Sequence, residues 1–139
     1  MLLLDNSAWA RLAGGSLGDS RAAEVAELLE SGELAVCLPF LLEAGYSARS
    51  GRDHRRMMRD LCRLPRVEIT PETESLAISA QGELADAGHH RVPPTDVVIA
   101  ACAHQSGAGV LHYDRDYDVV WEHTGLDFES RWLAPAGSL

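Results

Sequence analysis

"PPTDVVIAACAHQSGAGVLHYDRDYDVV", residues 93 to 120, decides the fold. Pro93-Pro94 suits the opening of a helix, where proline's fixed φ and missing N–H do no harm. The residues that follow are apolar nearly all round, which predicts a helix buried on most sides. "GVLHY" (109–113) is then a short apolar run of the kind that forms a buried strand. Three aspartates, Asp114, Asp116 and Asp118, follow at alternate positions and repel one another unless something positive lies among them. A buried helix feeding a buried strand is one unit of a parallel sheet.

The same alternation runs through the rest of the chain. "LLLD" (2–5) predicts a short strand stopped by Asp-Asn-Ser, and Gly14, Gly15 and Gly18 mark a loop after it. Ala22, Val25, Leu28 and Leu29 share a helical face over 21–31, and Gly32 stands where a C-terminal cap is expected. "ELAVCLP" (33–39) is a second strand, with Pro39 opening a helix through "FLLEAGYSAR" (40–49). An amphipathic helix with an arginine stripe follows over about 52–63, then a third strand, "RVEIT" (66–70), and a helix over 71–88. "GLDFESRWL" (125–133) predicts an edge strand, and the tail "APAGSL" (134–139) reads as frayed. Strand and helix alternate, so the expectation is a single three-layer α/β domain over 1–139 with a mostly parallel sheet.

Composition narrows the chemistry. A chain of 139 residues buries roughly two thirds of the surface that it exposes when unfolded, so no covalent staple is needed. Cys37, Cys62 and Cys102 are odd in number and lack C-x-x-C spacing, which suggests neither a disulfide framework nor a zinc site. The N-terminus reaches a charge after three leucines, so neither a signal peptide nor a membrane span is expected, and the reading is a cytoplasmic protein. All twelve basic residues are arginine. Without lysine, P-loop nucleotide hydrolysis and Schiff-base chemistry are excluded. The net charge of −9 is unevenly spread: residues 49 to 66 hold seven arginines against two aspartates, a local +5, which leaves −14 on the remainder.

In open parallel sheets, functional groups gather beyond the C-terminal ends of the strands. That rule selects Asp5 after the first strand, Glu43 in the helix after the second, Asp96 in the first turn of the apolar helix, and Asp114 and Asp116 after the fourth strand. Glu43 and Asp96 each interrupt a run of large apolar residues, and a buried charge is costly unless it is paired or bound to a metal. Taken singly, Asp96 could cap its helix and Glu43 could be an exposed polar position. Jointly, several carboxylates on one rim favour a hard cation, Mg²⁺ or Mn²⁺. An EF-hand reading of "DRDYDVVWEHTG" fails, since Val119 replaces the glycine at position six and Gly125 the glutamate at position twelve.

These residues resemble a known family. "LLLDNSAWARL", the glutamate in "LPFLLEAGYSAR" and "PPTDVVIAACAHQSGAGVLHYDRDYDVV" look like a PIN-domain ribonuclease of the VapC toxin type, over nearly the whole chain. The resemblance implies a PIN fold with strand order 3-2-1-4-5 and Mg²⁺- or Mn²⁺-dependent endoribonuclease activity, with a metal-activated water attacking RNA. It implies that Asp5, Glu43, Asp96 and Asp114 form the acidic quartet, that Asp116 is a fifth contributor, and that Ser7 supplies a supporting hydroxyl. A VapB-type antitoxin and a toxin homodimer are implied as partners, with DNA reached only through the antitoxin. Tyr117 stands where the family often has phenylalanine, a change that should preserve the ring's packing role.

Other readings are set beside this one. Asp118 is expected to be a bystander, capping a helix or facing solvent. Arg11, six residues after Asp5, could reach phosphate from the rim, and the six histidines lack ligand spacing. The arginine stripe could meet RNA, meet an acidic partner, or be a solvated face. A phosphoaspartyl phosphotransferase or receiver-like domain would place its nucleophile at Asp5 but needs a lysine that is absent. A non-catalytic PIN-like binding module would keep the fold without the chemistry.

Overall fold

A computed structural model describes all 139 residues. Strands β1 (Leu2–Leu4), β2 (Leu34–Cys37), β3 (Arg66–Val67), β4 (Gly109–His112) and β5 (Ser130–Trp132) form one sheet in the order β3-β2-β1-β4-β5, and every neighbouring pair is parallel. The expected order is the observed one. Seven helices flank the sheet: α1 (Asn6–Gly14), α2 (Asp19–Glu30), α3 (Leu38–Tyr46), α4 (Gly51–Leu61), α5 (Pro71–Asp86), α6 (Pro94–Ser106) and α7 (Asp116–His123).

β1, β2 and β4 are buried at every position, as continuous apolar runs covered on both faces must be. The third and fifth strands are shorter than the sequence suggests and lie at the sheet edges, where short strands limit stray pairing. Gly109 lets β4 lie close between its neighbours. A Cβ there would stand 2.8 Å from both the Glu129 carbonyl and a Leu2 methyl, so a side chain would force β1 and β5 away.

Helix α6 matches its sequence reading most closely: Val97, Ile99, Ala100, Ala101, Cys102 and Ala103 are all buried. It runs antiparallel to β4, with Gly107 at φ 68° making the left-handed turn between them. Its N-terminus therefore returns to the C-terminal end of the sheet. The Cys37 and Cys102 thiols meet in the core within hydrogen-bonding reach, though the sequence separates them by 65 positions, and the contact with Cys102 together with burial pushes the Cys37 thiol up.

One helix was not expected. α1 occupies residues that the glycines at 14 and 15 mark as the approach to a loop; Asp5 caps it, and Gly15 ends it at φ 70°. The strand order reverses between β1 and β4, and the crevice beyond their C-terminal ends is where a ligand site belongs.

Candidate metal centre

Asp5 sits where β1 passes into α1, its N–H bonded to the Leu111 carbonyl of β4 at 3.1 Å. Both of its oxygens are engaged. Oδ2 accepts from the Ser7 N–H at 2.9 Å and the Ser7 hydroxyl at 2.5 Å, while Oδ1 accepts from the Tyr117 hydroxyl at 2.7 Å. Ser7 Oγ in turn accepts from the Tyr113 N–H at 2.9 Å, which ties the end of β1 to the end of β4. Tyr117 is fully buried, and burial followed by the Asp5 charge raises its hydroxyl well above the usual range, so it stays a proton donor.

Asp96 differs from Asp5. It lies in the first turn of α6, only 6% exposed, and its Oδ2 is buried without a hydrogen-bond partner. No side chain caps α6, so Asp96 does not serve as the cap that its position alone would allow. Burial first, and then the charges of Asp5, Asp114, Asp116 and Glu43, push its carboxyl up to about 8. An orphaned carboxylate in such a place costs free energy until a proton or a cation joins it.

Asp114 and Asp116 complete the cluster. Asp114 Oδ1 accepts from the Asp116 N–H at 2.9 Å, so this carboxylate supports the start of α7 while its other oxygen stays free of that bond. Burial and the Asp114 charge raise Asp116. Each of Asp96, Asp114 and Asp116 offers an oxygen, and these oxygens all lie within 4.8 Å of one another. Glu43, on α3, is exposed, and desolvation followed by the Asp5 and Asp114 charges raises its carboxyl. Of the five carboxylates selected in the sequence, Asp96, Asp114 and Asp116 come together, while Asp5 and Glu43 lie near enough for their charges to act on Asp96.

A divalent ion fits this donor set. The oxygens are hard ligands, no cysteine or histidine stands among them, and the buried Asp96 Oδ2 has no other partner. Asp5, with both oxygens already bonded, suits a fixed orienting charge better than a nucleophile.

A second layer holds Asp114 from behind. The Asp114 N–H donates to His112 Nδ1 at 3.1 Å, and His112 Nε2 lies 2.7 Å from Ser130 Oγ. The Ser130 hydroxyl hydrogen goes to Asp118 Oδ1 at 2.6 Å, so Ser130 accepts from His112 and the ring is the neutral Nε2–H tautomer. Burial lowers the histidine further. Asp118 also accepts from Trp132 Nε1 at 2.9 Å. Asp118 stays outside the group of carboxylates that could hold a metal, as expected of a bystander, but it is not free to cap a helix: half-buried, it is claimed by two donors on β5 that clamp α7 to that strand.

Arg11 does not join the acidic rim. Its guanidinium donates to the Ser7 carbonyl at 2.9 Å and stacks 4.1 Å from the centre of the Tyr113 ring. The His89 and His123 rings lie 4.5 Å apart, tilted by 35°, and are not part of the acidic group. Tyr117 is the residue whose part at the site the sequence reading missed. Its ring was expected only to pack, and the hydroxyl that phenylalanine lacks is the group that reaches Asp5, 112 positions away.

The chain is similar to known proteins over most of its length. Residues 2–121 match the family described as PIN domain. Ribonuclease VapC2 of Mycobacterium tuberculosis is 39% identical over 131 residues, covering 91% of this chain and 89% of its own. Ribonuclease VapC18 of the same species is 37% identical over 139 residues, covering 98% and 97%. Among solved structures, DNA-bound VapBC from Salmonella typhimurium aligns with a TM-score of 0.74 at 18% identity, over 96% of this chain and 100% of the other, a likeness of fold.

Proposed function

The chain belongs to the PIN-domain family, and on that premise we propose that it is a Mg²⁺- or Mn²⁺-dependent endoribonuclease acting as the toxin of a toxin–antitoxin pair. The observation that carries the proposal is the buried, unpartnered Asp96 Oδ2 beside Asp114 and Asp116, with Asp5 and Glu43 adding charge at the same rim. Asp96, Asp114 and Asp116 would hold the ion, with Asp5 and Glu43 completing the catalytic set. The chemistry such an ion supplies is neutralisation of charge on the phosphate and a lower pKa for bound water.

The chain's own residues prepare that rim. Ser7 and Tyr117 fix Asp5 in one orientation, so its charge is aimed before substrate arrives. Asp96, raised to about 8, keeps its proton near neutral pH in the cation-free protein, and a cation held by Asp96, Asp114 and Asp116 would stand in for that proton. The Asp118–Ser130–His112 chain holds the backbone that presents Asp114. Glu43, on the exposed side, stands where substrate can approach.

The proposed partners follow the same reading: an RNA substrate, a VapB-type antitoxin and a second copy of the chain, in the cytoplasm, with DNA met only through the antitoxin. Leu38, Leu42 and Tyr46 form an exposed stripe on α3 at 41, 65 and 92% exposure, which supports a protein partner on that helix. No helix is long and apolar enough to cross a membrane. The test is to incubate the purified protein with total bacterial RNA in Mg²⁺, in Mn²⁺ and in excess EDTA, and to map the ends. Discrete cuts that need the metal are expected. No cuts in either metal would point to a non-catalytic module, and undiminished cleavage in EDTA would falsify the metal assignment.

A further inference from the structure

The largest concentration of charge that this mechanism leaves unused lies on α4. Arg52, Arg55, Arg56 and Arg59 stand at i, i+3, i+4 and i+7, which puts them within an arc of about 100° on one face of the helix. All four are exposed, and Arg63 and Arg66, also exposed, follow just beyond the helix end. The opposite face carries buried Leu61 with half-buried Met57 and Met58. None of the six arginines is in an ion pair: the chain's arginine pairs are Arg21–Glu24 and Arg131–Glu129. Like charges three and four positions apart destabilise a helix, and neither Asp53 nor Asp60, three before and four after Arg56, closes an ion pair with them.

Solubility does not call for such a stripe, because a protein of net charge −9 already repels its copies. The stripe suits a polyanion made of phosphates. Each planar guanidinium can take two phosphate oxygens at once, and the residue is arginine at every position. The rest of the chain, at −14, repels RNA, so α4 is where a long-range attraction can begin.

The ridge is also held in a fixed relation to the rim. A Cβ on Gly45 of α3 would stand 3.1 Å from His54 Nε2 and 3.2 Å from Met58 Cε, so the bare glycine lets α4 seat closely on α3. Glu43, on that same helix, lies two residues away.

We propose that the arginine face of α4 is a phosphate-binding ridge that grips the RNA backbone away from the bond being cut, so that an RNA must span ridge and rim to be bound well. The proposal rests on the endoribonuclease reading and deepens it. The experiment compares wild type with the quadruple variant Arg52→Gln, Arg55→Gln, Arg56→Gln, Arg59→Gln and with the matching quadruple lysine variant, each checked for an unchanged thermal melt. Binding of labelled polyuridylate and of labelled polyglutamate is measured in EDTA over a range of KCl, and cleavage of total RNA in Mn²⁺.

The glutamine variant should bind polyuridylate at least tenfold more weakly at low salt. Its plot of log affinity against log salt should flatten by about 3, the value for four lost contacts to a single strand. The lysine variant should keep the wild-type slope, which a merely structural role for arginine would not predict. In cleavage, KM should rise while kcat holds within about twofold, the mark of lost ground-state binding. Equal affinity and slope for wild type and glutamine variant would overturn the ridge, and a loss confined to polyglutamate binding would give the face to an acidic protein instead. Wild type that binds polyuridylate through α4 but cuts nothing would overturn the endoribonuclease reading and leave the ridge standing.

Discussion

The acidic rim and the arginine face of α4 both gather charge of one sign, and they differ in where that charge lies. On α4 the arginines are exposed. At the rim, Asp96 is 6% exposed with an unpartnered oxygen, and four other carboxylates stand around it. Burial, more than the number of charges, decides which cluster needs a ligand to be stable. The exposed face can wait for a partner, whereas the buried one must take up a proton or a cation.

Breaking the buried cluster should give the largest effect. Asp96→Asn or Asp114→Asn should lower RNA cleavage about a thousandfold, equivalent to about 4 kcal/mol of transition-state stabilisation, read from initial rates in Mn²⁺. Loss of less than tenfold would mean that the rim is not the reacting centre.

Stability should respond in the opposite sense. The folded-state pKa of Asp96, about 8, lies above the ordinary 3.8, so its stabilising contribution is complete below pH 3.8 and is lost as pH rises through 8. Metal-free Asp96→Asn should therefore outlast wild type at pH 8 by on the order of a few kcal/mol, with the difference shrinking toward pH 4. Chemical denaturation at the two pH values in EDTA checks this. A variant that is less stable than wild type at pH 8 would show that the buried charge is already compensated.

A smaller change is expected one layer out. Tyr117→Phe removes the donor to Asp5 Oδ1 but keeps the ring against His112, and it should cost about tenfold in cleavage, as loss of an outer-shell hydrogen bond does. The smallest effect belongs to the exposed cluster. Arg56→Gln alone should leave stability within about 0.5 kcal/mol of wild type, measured by denaturation.

The sequence made much of this visible, for identifiable reasons. Short apolar runs and the nearly all-apolar α6 have few alternatives to burial in a parallel sheet, so the strand and helix alternation could be read directly. Asp5, Glu43 and Asp96 stood out because each carboxylate follows or interrupts an apolar run. α1 was hidden because the glycine pair at 14 and 15 signals a loop, when Gly15 in fact closes a helix that begins at once after β1. The hydroxyl of Tyr117 and the clamp on Asp118 were hidden for another reason. Their partners, Asp5, Ser130 and Trp132, are brought together only by the β1–β4–β5 order, and nothing local in "DYDVVW" marks them.

The most direct test of the central claim, that the buried carboxylates form a divalent-cation site, is the thermal shift on adding Mn²⁺ at pH 8 to wild type and to Asp96→Asn. A cation that binds only the folded state raises the melting temperature as its concentration passes the dissociation constant. Wild type should climb steadily with Mn²⁺ while Asp96→Asn, already relieved of its buried charge, starts higher and moves little. Equal shifts in the two proteins, or none in wild type, would contradict the account.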